Sequence, residues 1–83
     1  MTTFDFKLVL DRLDIGEREA DVLYAQCKDA TLISADGVAY LDFDRLAESL
    51  EQAVRSAIAD VNAAGFHVVR VEIEADALTA QRV

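Results

Sequence analysis

Thr31-Leu32-Ile33-Ser34-Ala35-Asp36-Gly37-Val38-Ala39-Tyr40-Leu41-Asp42-Phe43 lies near the middle of an 83-residue chain. Asp-Gly is the favoured pair for a two-residue type I′ turn, whose central positions both need positive φ. The runs on either side are rich in strand formers, so the stretch predicts a hairpin with a fixed register. Ala35 then faces Val38, Ser34 faces Ala39, Ile33 faces Tyr40, Leu32 faces Leu41, Thr31 faces Asp42 and Ala30 faces Phe43. Side chains alternate across a sheet, so this register separates two faces. Ala30, Leu32, Ser34, Ala39, Leu41 and Phe43 fall on the side suited to a core, and Thr31, Ile33, Ala35, Val38, Tyr40 and Asp42 on the other.

Upstream, Phe4, Phe6, Leu8 and Leu10 alternate with Asp5, Lys7, Val9 and Asp11, the period of a half-buried strand. Asp14 with Glu17 has the spacing of a capping box, and Ala20, Leu23, Tyr24 and Cys27 form one apolar stripe, predicting a helix over about Ile15 to Lys28. Downstream, Ser49 and Gln52 give a second capping box. Leu50, Ala53, Val54, Ala57, Ile58 and Val61 then line one helix face, with Glu51 and Arg55 as an i,i+4 pair off it. Gly65 fits a helix stop. A last strand is expected from Phe66 to about Glu74, with Val69, Val71 and Ile73 pointing inward and Val68, Arg70, Glu72 and Glu74 outward.

The order strand, helix, strand, strand, helix, strand predicts an α+β, ferredoxin-like βαββαβ domain. Its four-stranded antiparallel sheet would carry two helices on one face and central first and third strands, with right-handed crossovers. One domain spans residues 1–83, with an ordered core over about 3–75 and a tail over 76–83. The face away from the helices would then display Lys7, Val9, Ile33, Val38, Tyr40, Val68 and Arg70, the candidate partner-binding residues. Five of them are apolar, more than an ordinary wet face carries.

Composition narrows the function classes. The chain is 53% hydrophobic with a net charge of −8, which supplies a core and disfavours direct binding to nucleic acid or an anionic membrane. The acidity serves solubility first and also suits a basic protein partner. No apolar run is long enough to span a bilayer, and the start lacks the pattern of a signal peptide. Cys27 is the single cysteine, so no intrachain disulfide forms and a reducing, cytoplasmic setting is expected.

The chemistry-bearing residues do not assemble into a motif. Asp42 with Asp44, and Glu72 with Glu74, are same-face carboxylate pairs, but Mg²⁺ or Ca²⁺ needs a fuller oxygen cage, and there is no Gly-rich phosphate loop. His67 reads as a rim residue in phase with Val69, lacking an orienting partner. Cys27 sits on an apolar stripe, where a thiol is unreactive. Tyr40 alone on an acidic sheet falls short of the two or three aromatics of RNA-binding sheets. The expectation is no enzyme, no catalytic residue, no metal and no cofactor.

The runs Asp36-Gly37-Val38-Ala39-Tyr40-Leu41-Asp42-Phe43-Asp44-Arg45, Ser49-Leu50-Glu51-Gln52-Ala53-Val54, Ser56-Ala57-Ile58 and Val69-Arg70-Val71-Glu72, with Cys27-Lys28-Asp29-Ala30-Thr31, carry a resemblance over about Phe4 to Leu78. The chain resembles the N-terminal domain of small bacterial proteins in which it precedes a helix-turn-helix segment, proteins that look like DNA-binding regulators or antitoxins. The resemblance implies a bacterial regulatory protein whose domain binds a protein partner or itself, a homodimer included. Residues 75–83 are too few for a helix-turn-helix, so the chain reads as an isolated domain or a short relative, and DNA binding does not carry over. Two alternatives stand beside an interaction or oligomerisation domain. One is an antitoxin-like neutraliser of a basic protein. The other is an ACT-like small-ligand domain, although the stretch after the first strand, Asp11 to Gly16, has only one glycine.

Overall fold

The computed structural model describes residues 1–12, 15–35 and 37–73. Its elements are β1 (Thr2–Leu10), α1 (Glu17–Gln26), β2 (Ala30–Ala35), β3 (Val38–Ala47), α2 (Leu50–Ala63) and β4 (Val68–Glu72). The four strands form one antiparallel sheet in the order β2-β3-β1-β4, with β1 and β3 central, the ferredoxin-like arrangement.

The hairpin register is the one the sequence dictates, from Ala30 opposite Phe43 to Ala35 opposite Val38. Gly37 has a φ of 74°, a left-handed conformation that glycine adopts without steric cost. Asp36, its expected turn partner, lies outside the described residues, as do Asp14, Glu74 and the tail over 76–83.

Both helices pack on one side of the sheet. Phe4, Phe6, Leu8 and Leu10 of β1 and Leu41, Phe43 and Ala47 of β3 meet Leu23, Cys27, Ala53, Ala57 and Val61 in a single core. Phe6 and Phe43 sit at its centre with stacked rings 5.4 Å apart. Burying aromatics of this size supplies much of the hydrophobic stabilisation of a small domain.

Local signals explain both helices. The Ser49 Oγ accepts the Gln52 N–H at 3.1 Å, while the Gln52 Oε1 accepts the Glu48 N–H at 3.2 Å. The predicted capping box is therefore present with its reciprocal bond moved back one residue. The predicted Glu51–Arg55 pair forms at 2.9 Å. At the far end Gly65, with φ 91°, donates to the Asn62 carbonyl and Phe66 to that of Val61. This is a Schellman stop, closed by the buried Phe66. The first helix is shorter than its stripe suggests. Gly16 is the N-cap, and its N–H donates to the Glu19 side chain at 3.1 Å. The helix thus begins at Glu17, not Ile15, and ends at Gln26, not Lys28. Arg12 joins this start by an ion pair to Glu19 and by its guanidinium over the Phe66 ring.

The last strand departs from its expected phase. Val9 pairs with Arg70 but Leu10 with Val68, so Val69 is an extra residue in a bulge. A bulge leaves two residues opposite one and shifts the alternation beyond it. Val68 therefore packs against the core with Val71 and Ile73. Val69 is 57% exposed, and His67 is exposed and not part of the core rim.

Candidate functional site: the open face of the sheet

The side of the sheet opposite the helices has no described element packed on it. Strand register lays out its side chains in rows. One row runs Thr31, Asp42, Lys7, Glu72 and the next Ile33, Tyr40, Val9, Arg70. Val38 extends the second row's apolar character along β3. In the other direction Asp44 pairs with Asp5, and Leu46 with Thr3.

Six of the seven residues expected here share this face. Ile33, Val38, Tyr40 and Lys7 are half-buried and Arg70 is exposed. Val9 is 6% exposed and forms the floor between Tyr40 and Arg70. Val68 is the exception, because the bulge turns it to the core. Leu46, 58% exposed, is an addition that sequence reading missed. β3 runs to Ala47, and continuing the alternation of Tyr40, Asp42 and Asp44 for two more residues would have found it.

Two electrostatic groupings divide the face. The Lys7 Nζ lies over the Tyr40 ring, 5.5 Å from its centroid, and Arg70 donates from Nε and Nη2 to Glu72 at 3.0 and 2.7 Å. Beyond them Asp5, Asp42 and Asp44 gather on adjacent positions of β1 and β3. The Asp42 carboxyl is pushed above the usual range, first by desolvation and then by hydrogen bonding to Asp5 and the charges of Asp5 and Asp44, with Lys7 opposing. Among the described residues no group of three or more His, Cys, Asp or Glu is placed to hold a metal ion.

The helix side carries a polar cluster that the sequence did not signal. Arg45 follows Phe43 in phase, so its side chain points among the helices. Its guanidinium grips Asp29 through Nε and Nη2 at 2.7 and 2.9 Å, reaches Asp60 at 2.9 Å and Ser56 Oγ at 3.1 Å, and lies over the Phe43 ring. The paired arginine holds the Asp29 carboxyl below the ordinary range. Nearby Cys27 is fully buried, and its thiol is pushed up to about 11, by burial foremost and by the Asp60 charge next. A thiol in that state is no nucleophile. Tyr24, expected on the buried stripe, is 42% exposed. Its hydroxyl instead accepts the Leu32 N–H at 3.0 Å on the edge strand β2.

An open hollow of about 680 Å³ lies on the flank of α2, lined by Ser49, Glu51, Gln52, Arg55 and Ser56. Its polar groups are engaged locally: Ser49 Oγ accepts the Gln52 N–H, Ser56 Oγ donates to the Ala53 carbonyl, and Glu51 pairs with Arg55. No described helix is long and apolar enough to cross a membrane. No protein-family model matches the chain, and no curated protein matches it.

Proposed function

We propose that this chain is a protein-interaction domain of a regulatory protein, without a reaction of its own, and that it docks its partner through the open face of the sheet. One observation carries the reading. Ile33, Val38 and Tyr40 cluster on a sheet face that no described element covers, with Leu46 further along it beyond Asp42 and Asp44, and clustered apolar side chains on such a face mark an interaction surface. The resemblance to bacterial helix-turn-helix-associated domains points the same way, to association and not turnover. A cytoplasmic setting is part of the proposal, supported by the free thiol of Cys27.

Light scattering and affinity capture with the wild type, Tyr40→Asp and Ile33→Asp test it, with Val22→Asp on the exposed side of α1 as a control. The expected result is an association, with itself or a partner, that both sheet-face variants lose and the control keeps. A monomer whose captured proteins are the same for all four chains would refute it.

A second reading has its own observation. The carboxylates of Asp5, Asp42 and Asp44 beside the apolar row favour a neutraliser of a basic protein, in the manner of an antitoxin. Inhibition of a neighbouring gene's product by this chain is its test, and failure to protect against that product would count against it.

A further inference from the structure

We propose that the open face takes an extended basic segment of a partner protein, with alternate side chains laid along β3. Cationic side chains would sit over Asp44 and Asp42, and apolar ones over Tyr40 and Val38. The proposal rests on reading this face as the docking surface, and it names the chemistry of what docks there.

Position along the strand is the first argument. Asp44, Asp42, Tyr40 and Val38 are successive same-face residues of β3, spaced about 7 Å apart by strand geometry. A partner strand repeats its own same-face side chains at that interval. Two basic residues and two apolar residues at alternate positions therefore meet two carboxylates and two apolar groups in order. Asp5 of β1 lies beside Asp44 and adds a third carboxylate to the cationic end.

Charge is the second argument. Asp5, Asp42 and Asp44 crowd together with Lys7 as the neighbouring cation, and Arg70 is engaged by Glu72. A second copy of the chain laid on this face would bring three more carboxylates and a further net charge of −8. Like charges juxtaposed at an interface select against that partner. A lysine or arginine stabilises each carboxylate that the fold has crowded. Nucleic acid is excluded by the same charges.

The probe is a synthetic peptide alternating threonine with two lysines and then two valines. Three comparison peptides carry glutamate for lysine, serine for valine, or a scrambled order. Binding to the labelled chain is followed by anisotropy and by amide chemical shifts. The expected result is preference for the first peptide, with shifts confined to the open-face residues of β1, β2 and β3. Asp44→Asn and Asp5→Asn should each weaken it about threefold to fivefold, the range of an exposed ion pair, and Tyr40→Ser should weaken it further. Rising salt should weaken it as well. Circular dichroism establishes that each variant is folded. Equal binding of the lysine and glutamate peptides overturns the basic partner but leaves the docking surface. So does absence of peptide binding in a chain that dimerises through the Tyr40 face. Equal binding of all lysine peptides, or shifts on the helices, overturns the strand-by-strand fit. No peptide binding together with a monomer insensitive to Tyr40→Asp removes both readings.

Discussion

Replacing Arg45 by methionine keeps an apolar stem against Phe43 but removes the guanidinium that joins β3, the turn before β2 and α2. The arginine side chain is 13% exposed, whereas those of Asp29 and Asp60 are 32% and 38% exposed. An exposed pair contributes roughly 0–1 kcal/mol and breaking a fully buried one costs about 3–5 kcal/mol. Water can return to the two carboxylates, so Arg45→Met should cost about 2 kcal/mol at neutral pH. Domains of this size unfold with a midpoint shift of about 4–8 °C per kcal/mol, which gives a loss of roughly 10 °C. The sign of the pH dependence follows from Asp29. Its depressed folded-state pKa contributes stability above the ordinary value of 3.8 that is lost as pH falls through the lower folded value. The gap between wild type and variant should therefore narrow in acid. Urea denaturation followed by circular dichroism across that range measures it, and a double-mutant cycle with Asp29→Asn isolates the pair. A loss under about 0.5 kcal/mol, or no coupling in the cycle, would refute the reasoning.

Asp42→Asn should stabilise the domain at neutral pH by a few tenths of a kcal/mol, a figure reduced by solvent screening. Asp42 has a raised folded-state pKa, so the wild type loses stability as pH rises through it, and the variant's advantage should vanish at low pH in the same denaturation series. Tyr24→Phe removes the acceptor for the Leu32 N–H. It should cost about 0.5–1 kcal/mol and speed exchange of the Leu32 amide, read by hydrogen-exchange NMR. The Cys27 thiol, buried and pushed up to about 11, should resist a thiol reagent at mildly alkaline pH and react in step with urea unfolding. Rapid reaction of the native chain would contradict that placement.

The linear pattern concealed the roles of Tyr24 and Arg45. A helical stripe placed Tyr24 with the core, but its side chain is exposed and its hydroxyl accepts the Leu32 N–H on the β2 edge. Such a cap also blunts an edge strand against further pairing. Arg45 occupies an inward phase that a period-two reading reserves for apolar groups. Its charge is tolerated there only because Asp29 and Asp60, distant in sequence, converge on it. The open face was legible to the extent that alternation on β1, β2 and β3 was legible. It was misread on β4, where one residue of bulge exchanged Val68 for Val69.

The sequence by itself determined the element order, the hairpin register about Gly37, the Ser49 cap and the Gly65 stop. Each depends on contacts between residues close along the chain, where dihedral preference and side-chain period act directly. Only the tertiary structure decided the bulge, the Arg45 cluster and the crowding of Asp5, Asp42 and Asp44. These arise where β1 meets β3 and β4, and where the helices settle on the sheet. Pairing partners far apart in sequence set them: the period assigns each residue a face, while the fold decides which residues of separate strands stand opposite one another and where a bulge interrupts them.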